Sequence, residues 1–150
     1  MKAMNICSCL NLDSFGVELS LSKSKTELAC FFCENDIPVI MSTETQAVIK
    51  SKLLSLDIVF YISFQFSGEK LLAVTMSPDT TLEGKSLMRR FGKIQKALEN
   101  ELGYPYNRLM TIIYLLDSEN SSFYWLRNGM RIEHYLLNRF GIEEIVSVKL

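Results

Sequence analysis

The stretch FYWLRNGMRIEHYLL, residues 123–137, decides the fold prediction for this chain. Two runs rich in aromatic and β-branched residues flank the dipeptide Asn128-Gly129. Asn-Gly between such runs is the strongest short signal for a two-residue β-hairpin turn, in which both turn residues have a positive φ. The stretch therefore predicts a hairpin. It also contains the single tryptophan and the single histidine of the chain.

A two-residue turn determines which side chains share a face of the hairpin, because successive residues of a strand point to opposite faces. On one face Trp125 pairs with Ile132 and Phe123 pairs with His134. This face is the more apolar, so we predict that it meets the helices. The other face then carries three pairs, which are Leu126 with Arg131, Tyr124 with Glu133, and Ser122 with Tyr135.

A second hairpin is predicted earlier in the chain, where Ser67-Gly68 separates two strand-like runs, 58–66 and 69–76. Counting residues from this turn assigns two sets of side chains. The inward set is Phe60, Ile62, Phe64 and Leu71. The outward set is Tyr61, Ser63, Gln65, Leu72 and Val74.

Two helices are predicted from capping signals and helical spacing. Ser24 begins a capping box with Glu27, and the helix runs to about residue 35 before Pro38 ends it. The second helix takes Thr81 as its cap and ends at a C′ glycine, Gly103. Its inward positions recur at helical spacing, namely Leu87 or Met88, Phe91, Ile94, Leu98 and Leu102.

The order of elements predicts the fold class. Further strand-like runs are 17–21, 48–54, 109–116 and 143–150, whereas residues 1–14 lack a clear period and are predicted to be loosely ordered. Runs of antiparallel strands interrupted by helices are typical of α+β domains with helices on one face of the sheet. We therefore predict one α+β domain over residues 1–150 and leave open a tandem helix-plus-hairpin repeat.

Composition excludes several classes of function. The chain has 16 basic and 17 acidic residues, so it lacks the clustered positive charge on which nucleic-acid binding depends. No apolar run reaches the roughly 18 residues that span a bilayer, and too few apolar residues precede the Cys7-Ser8-Cys9 stretch for a lipoprotein leader. We therefore expect no nucleic-acid partner, no membrane partner and a cytoplasmic location.

Sequence motifs give no catalytic residue, no cofactor and no metal site. The chain has no zinc-protease, nucleophile-elbow, phosphate-loop or dinucleotide motif. The four cysteines, Cys7, Cys9, Cys30 and Cys33, form a C-x-C and a C-x-x-C pair. The favoured interpretation is that the cysteines fill space in the core or are free thiols, because Cys30 and Cys33 come late in a predicted helix. Zinc binding and redox activity are the two alternatives.

The outward sheet face is the predicted binding site. Tyr and Arg dominate binding hot spots because they bury a large area for few lost rotamers. The candidate residues are Tyr61, Gln65, Tyr124, Leu126, Arg131, Glu133 and Tyr135. We expect the partner to be either an unidentified protein or a second copy of the chain. The remaining alternative is that the face is covered only by solvent and has no binding function. The alternative function is a small-ligand or enzyme pocket near His134 and Cys30 or Cys33.

The layout also resembles the tandem α+β fold of the β-lactamase inhibitor proteins, one half of which occurs in small lipoproteins of the outer-membrane assembly machinery. The resemblance rests on the helix ends at Pro38 and Pro105 and on the W-x-x-x-G-x-x-I pattern of Trp125, Gly129 and Ile132. It implies a non-catalytic protein-binding module of bacterial type, such as an inhibitor or a toxin-immunity protein. The chain departs from the family in its cysteine placement, and we expect no secretion signal, so β-lactamase inhibition does not carry over.

Overall fold

The computed structural model describes residues 8–82, 87–107, 122–138 and 142–150. Within these residues the chain forms an α+β fold, as the sequence predicts, with a largely antiparallel sheet. The helices are α1 (Lys25–Glu34) and α2 (Leu87–Leu102), with a short 3-10 helix at Thr80–Leu82. The strands are β1 (Cys9–Leu12), β2 (Val17–Ser20), β3 (Val39–Ser42), β4 (Gln46–Lys52), β5 (Val59–Ser67), β6 (Lys70–Pro78), β7 (Ser122–Arg127), β8 (Met130–Asn138) and β9 (Ile142–Lys149).

Seven of these strands form one sheet in the order β3-β4-β5-β6-β9-β8-β7. Strands β1 and β2 form a separate antiparallel hairpin. Every neighbouring pair in the large sheet is antiparallel. The last strand, β9, lies between β6 and β8, so it joins the strands that precede α2 to those that follow it.

The hairpin of β7 and β8 confirms the predicted register. Asn128 and Gly129 have φ values of 49° and 79°, so both turn residues lie in the left-handed region. Trp125 pairs with Ile132, and Phe123 pairs with His134. The Trp125 and His134 side chains are fully buried, which confirms the prediction that this face of the hairpin belongs to the core.

The hairpin of β5 and β6 turns at Gly68 and Glu69, so the predicted turn at Ser67-Gly68 is wrong by one residue. The hairpin also contains a β-bulge, which makes one outward prediction wrong. Gln65 pairs with Ala73 whereas Phe66 pairs with Leu71, so Leu72 is the extra residue. Val74 consequently pairs with Phe64 and is buried, although a count without a bulge places it outward. Leu72 is exposed, as predicted.

Capping chemistry sets the helix ends. The Glu27 backbone N–H donates to Oγ of Ser24 at 3.2 Å, and the Ser24 N–H donates to Oε2 of Glu27 at 2.7 Å, which confirms the capping box. Helix α2 is followed by Gly103 at a φ of 76°, as predicted for a C′ residue. The predicted Thr81 cap is not observed, because Thr81 lies in the 3-10 helix and its hydroxyl donates to Asp79.

We define the inner face of the sheet as the face that carries Phe64 and His134. The Phe32 ring of α1 lies 5.5 Å from the Phe64 ring, and the Phe91 ring of α2 stacks at 3.9 Å on the His134 ring. The same face carries the largest fully buried side chains of the strands, among them Trp125, Phe60, Phe64, Ile49 and Ile62. Phe32 of α1 and Phe91 of α2 therefore belong to the core on this face of the sheet.

Two strands lie where the sequence gives no strand signal. Residues 8–14, predicted to be loosely ordered, include β1, whose Leu10 and Leu12 side chains are buried against the core. Strand β3 follows Pro38, in residues for which no element is predicted. The apolar run 109–116 lies outside the described residues. In the part that is described, no helix is both long and apolar enough to cross a membrane.

Candidate functional site

The outer face of the sheet, opposite Phe64 and His134, consists of rows of side chains that cross the strands. Because each row follows the register of neighbouring strands, its members lie side by side. One row is Gln46, Gln65, Ala73, Lys149, Arg131 and Leu126. The next is Val48, Ser63, Thr75, Ser147, Glu133 and Tyr124.

The structure brings five of the seven predicted binding residues together and separates the other two. Tyr124, Leu126, Arg131, Glu133 and Tyr135 lie on the adjacent strands β7 and β8, and we call them the β7–β8 patch. Tyr61 and Gln65 lie on β5, which is three strand spacings from β8, or about 14 Å. The seven residues share a face, but they do not form one compact site.

Charged and aromatic contacts fix the centre of the β7–β8 patch. The Arg131 guanidinium lies 5.0 Å from the centroid of the Tyr124 ring, a distance typical of cation–π contacts. Nε of Arg131 also donates to Oε1 of Glu133 at 2.8 Å. Nζ of Lys149 lies 2.9 Å from Oε2 of the same carboxylate. Glu133 thus holds two cations, and the Arg131 side chain remains 51% exposed.

A loop that sequence reasoning missed extends the patch. The Tyr106 ring is parallel to the Tyr124 ring, with centroids 6.0 Å apart, and Tyr106 is 63% exposed. The Tyr106 backbone N–H donates to the Tyr124 carbonyl at 2.9 Å. The neighbouring Asn107 donates to the Ser122 carbonyl and accepts from the Tyr124 N–H. The only sequence signal for this contact is the Tyr-Pro-Tyr segment that follows α2.

The charge on Glu133 predicts a pH dependence. Burial raises the pKa of Glu133, but the ion pairs with Lys149 and Arg131 outweigh burial and hold this pKa below its ordinary value. A carboxylate with a lowered folded-state pKa stabilises the fold above the unfolded pKa of about 4.3, and this contribution disappears as the pH falls through the folded-state pKa.

We therefore expect Glu133→Gln to lower the free energy of unfolding at pH 7 by up to about 1 kcal/mol, a typical value for a partly exposed pair. The difference from the wild type should shrink as the pH falls, and it should vanish only below the lowered folded-state pKa of Glu133, where both proteins carry a neutral side chain at this position. Urea denaturation at pH 7, 5 and 3 measures it. A difference that persists unchanged at the lowest pH would contradict the ion-pair explanation, and Lys149→Met should reproduce the trend.

The outer face has a second cation–aromatic pair beside the two separated residues. Nζ of Lys50 lies 4.2 Å from the centroid of the Tyr61 ring and 2.9 Å from Oδ2 of Asp79. Tyr61 is 36% exposed. Small polar residues of β6 and β9, including Thr75 and Ser147, lie between this pair and the β7–β8 patch.

A buried polar cluster lies on the inner face around His134. Nε2 of His134 is 2.7 Å from Oε1 of Glu144, and Nδ1 is 2.8 Å from Oε1 of Gln95. Nε of Arg90 donates to Oε2 of Glu144 at 3.0 Å. The sequence signals did not reveal this cluster, because Arg90 and Gln95 resemble surface residues of an amphipathic helix until α2 is placed on β8 and β9.

The geometry of His134 is that of a structural residue. Burial lowers the pKa of His134, and the hydrogen bond with Glu144 offsets this only in part. Both ring nitrogens have side-chain partners, the Phe91 ring covers one face, and the ring is fully buried. Among the described residues, side chains thus occupy both ring nitrogens of His134, so neither nitrogen is available to a ligand.

Cys30 and Cys33 lie apart from His134 and are not core filler. Cys30 and Cys33 are both exposed on α1, whereas His134 packs against α2. The prediction of small apolar filler is thus wrong for these two residues, which are free thiols. The inward face of α1 is occupied by Leu28 and Phe32 instead. The expected alternative pocket near His134 and Cys30 or Cys33 is not formed by these side chains.

Comparison with known proteins leaves the resemblance to the β-lactamase inhibitor fold as a hypothesis. The features that suggested it, Trp125, Gly129 and Ile132, occupy the core and turn of the β7–β8 hairpin. Such positions serve packing and turn geometry in many antiparallel sheets. No protein-family model, curated protein or solved structure was found to match this chain.

Proposed function

We propose that this protein is a non-catalytic binding module that holds a protein partner on the outer face of its sheet, centred on the β7–β8 patch. The observation that carries the proposal is the contact series of Tyr106, Tyr124 and Arg131 at one edge of the sheet, in which Tyr106 and Arg131 are exposed and Tyr124 is half-buried. An inhibitor or a toxin-immunity protein is the kind of module that uses such a surface.

The patch has the properties of a binding hot spot. Tyrosine buries a large area with few rotatable bonds, and the planar guanidinium of arginine is pre-organised for paired contacts. Glu133 restrains Arg131 before any partner arrives, which reduces the cost of ordering this side chain. Leu126 is 47% exposed beside Arg131 and supplies an apolar contact.

The proposed architecture leaves this face free. We propose that both helices cover the inner face along their whole length, in a tandem arrangement of helix and hairpin strands. The ring contacts of Phe32 with Phe64 and of Phe91 with His134 support this placement. The opposite face, with its polar, charged and aromatic rows, would then be free of helices.

The test compares two matched cation–aromatic pairs on the same face. Tyr124→Ala/Arg131→Ala should lower affinity for a captured partner at least 30-fold, the effect of losing a hot spot worth about 2 kcal/mol. Lys50→Ala/Tyr61→Ala removes a similar pair about 14 Å away and should change affinity less than threefold. The partner is captured from lysate with wild-type protein, identified, purified and titrated by calorimetry against each variant.

Equal affinities for the wild type and the Tyr124/Arg131 variant would overturn the proposed site. A comparable loss in both variants would extend the site across the sheet to β5. The patch could instead be occupied by a second copy of the chain. The solution mass of the same samples tests this, because it distinguishes a dimer from a monomer. A dimer that becomes a monomer in the Tyr124/Arg131 variant would assign the patch to self-association.

A further inference from the structure

Strand β3 is an edge strand with an exposed apolar surface. It lies at the end of the seven-stranded sheet, opposite the edge formed by β7. Its residues Val39, Ile40 and Met41 are 42%, 53% and 43% exposed. Edge strands usually carry lysine, proline or a covering segment, since unpaired backbone groups attract other strands. The strand itself contains neither lysine nor proline, although its pairing with β4 shifts register between Val39 and Met41, which marks a bulge at Ile40.

The two edges of the sheet differ in how their backbone groups are satisfied. At the β7 edge, Tyr106 donates to the Tyr124 carbonyl, and Asn107 bonds both Ser122 and Tyr124. No comparable hydrogen bond from the described residues reaches the outer edge of β3, which pairs only with β4. The β3 edge is therefore the one that retains the donors and acceptors needed to add a strand.

A groove runs between β3 and α1, and we call it the β3–α1 groove. Its volume is about 270 Å³. One charged side chain lines it, that of Lys25, whose ammonium group donates to the carbonyl of Glu44 at 2.8 Å. Hydrogen bonds from Thr26 and the charge of Lys25 lower the pKa of Glu69, a carboxylate that does not line the groove. The other lining residues are apolar or small, and they are Leu28, Ala29, Phe32, Cys33, Ile37, Val39, Ser42, Ala47 and Phe66.

We propose that an extended segment of a partner protein adds as a strand to β3, places an apolar side chain in the β3–α1 groove, and directs a carboxylate to Lys25. In strand addition, main-chain hydrogen bonds supply affinity and pockets for alternate side chains supply specificity. The β3 edge provides the hydrogen-bonding groups and the groove provides the pocket. The single cation of the groove matches an acidic group.

The small size of β3 favours a peptide over a second copy of the chain. Specific dimers bury about 800 Å² on each partner. The four residues of β3, with three partly exposed apolar side chains, supply only a few hundred Å² by this standard. A bound peptide instead buries side chains in the groove as well as along the edge.

Two cysteines on one helix provide a matched test. Cys33 lines the groove, whereas Cys30 is exposed and does not. Cys33→Trp should fill the groove and weaken peptide binding at least tenfold, and Cys30→Trp should change it less than twofold. The probes are fluorescein-labelled heptapeptides that alternate threonine with valine or leucine and end in glutamate or in lysine. Fluorescence anisotropy measures binding, and circular dichroism confirms that both variants fold.

Two further measurements test the mode of binding. The glutamate-ended peptides should bind several-fold more tightly than the lysine-ended ones, and Lys25→Glu should reverse this order. Hydrogen exchange should slow at least tenfold at outward amides of residues 39–42 when peptide is bound, which is the signature of strand addition.

Equal weakening by Cys33→Trp and Cys30→Trp, or no binding by any peptide at about 1 mM, would overturn the proposal. So would a dimer in solution that Ile40→Lys converts to a monomer. The β3–α1 groove and the β7–β8 patch lie at opposite edges of the sheet. The experiments on the two sites can therefore support or contradict each proposal independently.

Discussion

Glu144→Gln is expected to lower the free energy of unfolding by about 3–5 kcal/mol, the usual cost of removing one member of a buried ion pair. The Glu144 carboxylate is fully buried, and it accepts from Nε of Arg90 and contacts Nε2 of His134. The glutamine keeps the shape of the side chain but leaves the Arg90 charge buried without a counterion. The midpoint of urea denaturation measures the loss.

The preceding residue supplies the control for this experiment. Glu143 is exposed on the opposite face of β9, so Glu143→Gln should change stability by less than about 0.5 kcal/mol. The triple variant Arg90→Met/His134→Phe/Glu144→Leu should recover much of the loss, because apolar residues of similar volume often replace buried ion pairs without cost. Equal midpoints for Glu143→Gln and Glu144→Gln would refute the assigned role of the cluster.

Trp125→Ala is expected to destabilise the fold by a similar amount, about 3–5 kcal/mol, because it removes a large buried side chain and leaves a cavity. Trp125 is fully buried opposite Ile132. Its Nε1–H donates to the Gly103 carbonyl at 2.8 Å, so it also ties β7 to the end of α2. Thermal unfolding followed by circular dichroism is the measurement, since the substitution removes the single tryptophan fluorophore.

Two variants separate the contributions of Trp125. Trp125→Phe retains most of the buried volume but loses the hydrogen bond to Gly103, so it should cost less than the alanine variant. Leu126→Ala, at the next position on the exposed face, should cost less than about 0.5 kcal/mol. If Leu126→Ala proved as damaging as Trp125→Ala, the assignment of inner and outer faces in β7 would be incorrect.

Local signals in the sequence account for the elements that were predicted well. The Asn128-Gly129 turn sets the register of its own hairpin, because a two-residue loop leaves one pairing that buries the apolar face. The Ser24 and Glu27 side chains satisfy backbone donors within a single helical turn. Each of these features depends on residues only a few positions apart.

The predicted binding residues illustrate the limit of such signals. Tyr124 and Arg131 lie on neighbouring strands of one hairpin, so the register count places them together. Tyr61 belongs to another hairpin, and its distance from them depends on β6 and β9 lying in between. Tyr106 joins the patch through loop contacts that have no periodic pattern in the sequence.

The sequence by itself determined the two-residue hairpin turn, the alternation of inner and outer faces in β7 and β8, and the ends of α1, because these follow from local sterics and hydrogen bonding. Only the tertiary structure decided that Leu72 is a bulge, that β9 joins β6 to β8, that β3 forms an exposed edge, and that Glu144 lies between Arg90 and His134. Apart from the bulge, which lies within one hairpin, these features depend on contacts between residues far apart in the chain. The contacts of Glu144 with Arg90 and His134 form because the assembled sheet and α2 exclude water from these groups, which must then find partners in each other.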